Sequence, residues 1–409
     1  MLNRIWSAFF ILGFLACFWQ WIALDNSAIF SEVIKSTFDM AALSVEIALG
    51  LVGVLCLWMG LLNIAEQSGL AHRLSQLLSP LLTRLMPEVP KGHPALGSIS
   101  MNMAANMMGL DNAATPMGLR AMEQLQSLNP TPDRASNAQI LFLVLNTSSV
   151  TLFPVTILMY RAQMGSADPA SVFIPILLAT SCSTLVGLLA VALVQRINLL
   201  DKVILSWILG AFIMLGGLML YLNSLSSDEM ARQSSVIGNG LLVTAILLFF
   251  IQGLRKRLNL YEVFVDGAKD GFSLAVKLIP YLVAMLVAIG VLRASGLLNL
   301  LTDGIGYLVA MMGVSTQFVD ALPTALMKPL SGSGARAMML ETFNTYGVDS
   351  FTGRLAAMIQ GSTETTFYVL TVYFGAVGIK RIRHALGCGL IADLGGILAA
   401  IFLAYWFFD

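Results

Sequence analysis

The sequence predicts an all-α polytopic membrane protein of about nine spans, with re-entrant or interfacial helices between them and an inverted internal repeat. Three observations carry this reading. Of 409 residues, 57% are hydrophobic and 11% charged, where a soluble domain carries about 25% charged residues. Apolar runs near the length of about 20 residues that a membrane span needs recur at 5–24, 45–63, 138–160, 172–195, 203–222, 236–254, 276–292, 352–375 and 385–407. And "DMAALSVEIALGLVGVLCLWMGLLNIAEQSGL" (39–70) aligns without a gap to "DGAKDGFSLAVKLIPYLVAMLVAIGVLRASGL" (266–297), the closing Ser-Gly-Leu in register.

The first run opens on Arg4 and continues to Leu24. It exceeds the roughly 7–15 apolar residues of a secretory signal and no A-x-A site follows, so it is expected to stay as a span, with Trp19 and Trp21 in an interfacial belt. The stretches 64–86, 95–122, 297–313 and 320–341 are apolar but interrupted by Gly, Pro, Asn and Ser. They read as re-entrant or interfacial helices, because irregular backbone at membrane depth is tolerated only where protein buries it or it lines a water-filled cavity.

Charge orients the spans. Arg4, the group His72, Arg73, Arg84 and Lys91, the pair Arg196 and Lys202, "RKR" at 255–257 and "KRIRH" at 380–384 fall on one side, while the loops at 165–171 and 224–230 carry no Lys or Arg. The positive-inside rule then places the N-terminus in the cytoplasm and the C-terminus in the periplasm of a bacterial inner membrane. Arg161 and Arg354 are expected to snorkel at span ends.

The repeat continues beyond its first block: "NTSSVTLFPVTIL" (146–158) matches "GSTETTFYVLTVY" (361–373), polar first and then apolar. The halves divide near 1–200 and 201–409. Five expected spans separate the start of one copy from the start of the other, and an odd number inverts the second copy. Inverted repeats with interrupted helices at the bilayer midplane are a transporter signature.

Composition narrows the function. Formal net charge is zero, so nucleic acid is not an expected partner. No GxxxxGK[ST] stretch is present, which argues against ATP hydrolysis. Cys17, Cys56, Cys182 and Cys388 lie in apolar runs without metal or redox spacing, and His72, His93 and His384 are scattered, so no metal site or cofactor is expected. No nucleophile–base pair stands out, and no enzyme activity is expected.

The candidate residues stand where polar side chains interrupt apolar text. Asn102 and Asn106, four apart on one helical face, precede Asp111, Asn112 and Thr115; Pro116 suggests a break, with Thr115 as a helix cap. In the second half Lys328, Ser331, Ser333 and Arg336 surround a Gly-rich turn, with Ser333 placed to cap the next helix, whose N-terminal dipole favours an anion. Asn146, Thr147, Ser148 and Ser149 face the run Gln360, Ser362, Thr363, Glu364, Thr365 and Thr366 from the other copy. A lone Ser or Thr in a membrane helix often only bonds its own i−4 carbonyl. Glu364 is different, because an acid at the bilayer centre costs several kcal/mol. It is expected to face a cavity, or to pair with Lys328 or Arg336. Asp393, in "GCGLIADLGG", is a weaker site candidate among residues suited to close helix packing.

These motifs resemble a known family. "MNMAANMMGLDNAATPMGLRAMEQLQ" and "FLVLNTSSVTLFP" are similar to spore maturation protein A; "IPYLVAMLVAIGVLRASG", "KPLSGSGARAMMLETF" and "IQGSTETTFYVLTVYFG" are similar to spore maturation protein B. The chain looks like a fusion of the two. That family carries the Gate, or nucleoside-recognition, domain shared with concentrative nucleoside transporters and ferrous-iron transporters. The resemblance implies a transport-like fold with two re-entrant hairpins.

The expected function is a secondary transporter of a small polar solute, nucleoside-like or an anionic metabolite, bound at the midplane between the repeats. A proton or sodium ion is the expected coupling ion. Partners are then membrane lipids, the solute, and a second copy of the chain if it oligomerises. The alternative is a non-transporting membrane scaffold that binds a partner protein, which the short loops disfavour.

Overall fold

A computed structural model of the chain describes residues 2–109, 111–313 and 315–409, without the side chains of residues 2, 3, 5 and 111–113. Among the described residues the secondary structure is helical, with no strand. The order reads as one element sequence stated twice. After α1 (Leu2–Leu24), the first copy comprises α2 (Ala28–Gln67), α3 (Leu70–Leu85), α4 (Pro94–Met107), α5 (Asp111–Gln126), α6 (Asn137–Thr147), α7 (Val155–Gln163) and α8 (Phe173–Gln195). Two connecting helices follow, α9 (Lys202–Leu222) and α10 (Ser227–Arg255). The second copy is α11 (Leu260–Ala294), α12 (Leu297–Met311), α13 (Leu322–Met327), α14 (Gly332–Tyr346), α15 (Phe351–Ser362), α16 (Thr366–Ala376) and α17 (Ala385–Phe408).

Among the described residues seven helices, α1, α2, α8, α9, α10, α11 and α17, are long and apolar enough to cross a membrane. The two other expected spans, 138–160 and 352–375, are each broken into two half-helices, α6 with α7 and α15 with α16. The protein is a multi-pass membrane protein. The expected spans 45–63 and 276–292 are the apolar cores of longer helices. Their extensions carry Glu32, Lys35 and Asp39 in α2 and Glu262, Asp266, Lys269 and Asp270 in α11, residues that allow a helix but fail a hydropathy test.

Equivalent helices run antiparallel. On α2 and α11, Asn63 Nδ2 donates to the Val263 carbonyl at 2.7 Å, while Met40 packs against Gly290; numbers rise on one helix as they fall on the other. The backbones nearly touch. A Cβ on Gly267 would stand 2.5 Å from the Met59 carbonyl oxygen, and one on Gly271 equally close to that of Leu55, the small-residue contact typical of membrane helices. The pair α8 and α17 behaves likewise: Ser183 Oγ donates to the Ala392 carbonyl at 2.9 Å, and Gln195 meets His384 at 3.0 Å. A two-fold relating antiparallel equivalents lies perpendicular to the helices, which for spanning helices is the membrane plane. The repeat is therefore inverted.

The Ser-Gly-Leu register also has a structural meaning. Ser68 and Ser295 close α2 and α11, and Gly69 and Gly296 follow at φ +79° and +73°, a left-handed backbone that glycine adopts without Cβ strain.

Three local expectations are corrected. Thr115 does not cap a helix after a break: α5 already begins at Asp111 and continues through Pro116, and the turn lies earlier, at Met108 and Gly109 (φ +73°). So near a helix start a proline removes a single i→i−4 bond. Ser333 is not the cap of α14; Ser331 is, its Oγ accepting from Gly334 N–H at 3.0 Å, while Ser333 Oγ meets Ser331 Oγ at 3.2 Å. Arg161 does not snorkel, for it is 0% exposed; Arg354 lies over the Phe408 ring, 4.8 Å from its centroid.

The two ends of the molecule are held by different contacts. Arg84 with Asp201 and Arg381 with Asp133 lie at one end, with Lys256 beside Gly69. The other end joins Ser227 Oγ to the Asp409 carbonyl and Ser235 Oγ to Asp168.

Candidate functional site

The broken helices form the centre. Every residue of α6 from Ala138 to Thr147 is buried, as are Leu355–Gln360 of α15. Each pair opens on a serine cap. Ser136 and Gln139 form a capping box, and Ser350 Oγ accepts from Gly353 N–H at 3.0 Å. Each then breaks at a polar run: α6 closes on Ser148 and the chain stays non-helical up to Pro154, while α15 gives way to extended backbone over Thr363–Thr365.

The breaks touch. Glu364 N–H donates to the Thr147 carbonyl at 2.7 Å, joining one break to the other. Each break also hangs on the hairpin turn of its own copy. Leu152 N–H donates to the Met107 carbonyl at 2.9 Å, and Phe367 N–H to the Pro329 carbonyl at 3.0 Å. Helix interruption frees backbone groups that need partners at membrane depth, and the opposite break and the hairpin turns supply them.

Around this crossing lies a cavity of about 420 Å³, walled by both copies. The first copy contributes Asn106, Thr115 and Asn146, and the second Lys328, Arg336, Gln360, Thr363, Glu364 and Thr365. Glu364 is exposed to it although it lies mid-chain in an apolar segment. Arg336 stands over the Tyr160 ring, 5.5 Å from its centroid.

The remaining candidates stand behind this wall. Asn102, 0% exposed, donates to the Ala114 carbonyl and accepts from Asn146 Nδ2, both at 2.7 Å, so it positions Asn146. The hydroxyls of Thr147 and Ser148 return to the Val144 carbonyl, and that of Ser362 to the Ile359 carbonyl, the plain helix back-bond. Ser331 and Ser333 shape the α14 cap. Ser149 and Thr366 are buried, their hydroxyls without a hydrogen-bond partner among the described residues. The side chains of Asp111 and Asn112 lie outside the described residues.

Sequence reasoning missed Tyr368, Tyr373 and Thr151, which also line the cavity; the tyrosines read as span residues in "FYVLTVYF". It also missed the straps that hold the broken helices across the copies. Arg161, at the end of α7, donates to the Val348 carbonyl at 2.9 Å and to Asp349 Oδ1 at 2.8 Å, just before α15 begins. At the other end Lys380 and Arg381, after α16, donate backbone N–H groups to the Asp133 carbonyl at 2.9 Å, just before α6 begins. Burial raises the Asp349 carboxyl, but the Ser166 hydroxyl, the Ala167 N–H and Arg161 outweigh it and hold it below its ordinary range. The histidines stand elsewhere: His93 caps α4 and His384 meets Gln195.

An inverted pair of broken membrane helices crossing at a polar cavity defines the class: a multi-pass membrane protein built from an internal repeat. Residues 48–163 and 275–380 match the nucleoside recognition (Gate) family, once in each copy. The chain belongs to that family. It is also similar to spore maturation protein B of Bacillus subtilis (strain 168), 47% identical over 163 residues that make up 40% of this chain and 88% of that protein. Spore maturation protein A of the same organism is 39% identical over 183 residues, 45% of this chain and 90% of that protein. The chain therefore combines the two in one fused form. No solved structure matches it.

Proposed function

We propose that the protein is a secondary transporter of a small polar solute, bound in the central cavity between the copies. The observation that carries this reading is the cavity's place: it sits where two antiparallel broken helices cross, and both copies wall it. Its volume, about 420 Å³, falls in the range of small-molecule sites, about 300–1,000 Å³. The amides of Asn106, Asn146 and Gln360 offer hydrogen bonds to a neutral solute. Lys328 and Arg336 beside Glu364 suit an anionic or zwitterionic one. A nucleoside-like solute fits the family's description; an anionic metabolite fits the two cations. A second cavity of about 230 Å³ shares Phe153, Thr156 and Arg336 and reaches Glu66 and Asp270, which supports a path away from the first. No enzymatic step is part of this reading.

The basic end, with Arg84, Lys256 and Arg381, is assigned to the cytoplasm of a bacterial inner membrane, and the end holding 224–230 and Asp409 to the periplasm. The N-terminus is assigned to the cytoplasm. Reporter fusions at 228 and 409 are expected to signal the periplasm; a cytoplasmic signal at both overturns the assignment. Transport is tested by comparing metabolites accumulated by deletion and overproducing strains, then measuring uptake of the differing solutes into proteoliposomes. Saturable uptake is expected. Equal metabolite profiles, with no uptake, overturn the reading in favour of a scaffold.

A further inference from the structure

Behind the second break lies a cluster of buried oxygens that the cavity does not use. Asp393 is on α17, 1% exposed, and neither carboxylate oxygen has a hydrogen-bond partner among the described residues. Thr363, 4% exposed, and Thr366, 0% exposed, likewise have unpartnered hydroxyls. The fold aims all three at one place. Gly389 and Gly396 stand four before and three after Asp393, on the same face of α17. Thr366 packs on Gly389, its Oγ1 3.4 Å from where a Cβ would stand. Thr363 packs on Gly396, and the Ser362 carbonyl oxygen lies 3.1 Å from the Cβ position there. The two glycines thus let the broken helix settle against α17 on either side of the carboxylate. The Thr366 and Thr363 hydroxyls both act on it, without closing a hydrogen bond of good geometry.

We infer that Asp393, with the hydroxyls of Thr363 and Thr366, binds a monovalent metal cation of the sodium class beside the central cavity. A buried carboxylate whose oxygens close no hydrogen bond is costly, and several oxygens around one point are what a hard cation takes. A proton is the competing occupant, and the experiment below separates the two; a cation can engage the carboxylate and both hydroxyl oxygens together. The charge count favours a single charge. Lys328 and Glu364 are the charged groups acting most on Asp393, and two carboxylates with one ammonium leave one negative charge over. A divalent ion would exceed it. Thr363 belongs both to this cluster and to the cavity wall, so the cation would touch the solute site directly. The first copy closes the same place without charge: Thr184 on α8 aligns with Asp393, and its hydroxyl donates to the Ser148 carbonyl.

This deepens the transport reading, on which its coupling role rests, but cation binding is measured without transport. The purified full-length protein in detergent is unfolded by heat at constant ionic strength in sodium, potassium or choline chloride, and binding of radiolabelled sodium is counted. A saturable sodium-dependent rise in melting temperature is expected, and Asp393→Asn is expected to lose it. In sodium-free buffer Asp393→Asn should melt at or above the wild-type temperature, because a buried charge is gone; a purely structural carboxylate would make it melt lower. Should that variant not fold, Thr363→Val and Thr366→Val are each expected to weaken sodium binding. The inference is overturned if sodium neither binds nor stabilises, or if stability follows pH alone and Asp393→Asn removes that dependence, which marks a proton site. Sodium binding without solute uptake leaves the cation site standing and fails the transport reading. Uptake without sodium binding does the reverse.

Discussion

The two breaks are copies of one element, yet one is closed and the other open. In the first, polar groups are mostly spent on the fold itself, the Ser149 hydroxyl excepted. The Thr147 and Ser148 hydroxyls bond the Val144 carbonyl, Thr184 Oγ1 donates to the Ser148 carbonyl, and Thr180 takes up the Thr151 N–H. In the second, Glu364 faces the cavity, while Thr363, Thr366, Gln360 and Asp393 keep polar atoms without partners among the described residues. Buried polar groups are usually satisfied, and exceptions ask for a reason. The duplication therefore teaches a division of labour. One break holds its copy's backbone together; the other reserves its polar groups for something that arrives.

The largest expected effect tests this division directly. Glu364→Gln keeps size and hydrogen bonding but removes the charge. It is expected to abolish solute uptake in proteoliposomes while melting close to the wild-type temperature, since Glu364 is exposed to the cavity. Ser149 is the aligned position in the first copy, and Ser149→Ala is expected to keep uptake. Equal loss in both variants would show that the copies share the work and break the comparison.

Next in size is the buried strap. Arg161 is 0% exposed and its guanidinium meets Asp349 Oδ1 at 2.8 Å. Asp349→Ala strands that guanidinium with only carbonyl and hydroxyl partners; breaking a fully buried pair costs about 3–5 kcal/mol, and with the Asp349 side chain 32% exposed about 2–3 kcal/mol is expected. Thermal or denaturant unfolding in detergent is expected to show a loss of that order. Replacing both partners, Arg161→Met with Asp349→Ala, is expected to recover part of it, because the stranded charge is then gone. If the double variant is no better than the single, the carbonyl contacts of Arg161 rather than its charge hold the strap.

Much of this arrangement was legible in the chain. The repeat, the inversion and both breaks follow from a gapless alignment, a count of apolar runs, and polar runs at matching places. Sidedness needs contacts that sequence does not hold. Met40 meets Gly290 while Asn63 meets Val263, and only the two meetings together fix the antiparallel pairing. Helix ends were less legible, because Ser331 and Ser333 are equally good caps by residue type and only backbone geometry chooses between them. The charged N-terminal extensions of α2 and α11 escaped because a hydropathy reading stops at Glu and Asp. Asp393 was ranked low for a similar reason. Its glycine neighbours signal packing, and the hydroxyls that raise its interest come from another helix.

The smallest expected effect lies at the exposed strap. Asp133 and Arg381 pair at 2.9 Å with side chains 49% and 62% exposed, where ion pairs contribute little. Their backbones do more: the Asp133 carbonyl accepts two N–H groups, and Ala135 N–H donates to the Arg381 carbonyl at 3.0 Å, contacts that a side-chain change leaves in place. Arg381→Ala is therefore expected to shift the melting temperature far less than Asp349→Ala does. The pH dependence carries the same contrast. The hydrogen bond from Arg381 holds the Asp133 carboxyl below its ordinary range. A carboxyl lowered in the fold adds stability that is fully present above its unfolded pKa and lost as pH falls through the folded one. Acidification below the ordinary carboxylate range should thus remove what the pair contributes, and Arg381→Ala should flatten that part of the curve only slightly. The Asp349 carboxyl is lowered too, but by the Ser166 hydroxyl and the Ala167 N–H ahead of Arg161, so Arg161→Met should flatten the acid limb only in part. If Arg381→Ala instead removes most of the acid dependence, the exposed strap is the stronger one, and the ranking of the two straps is reversed.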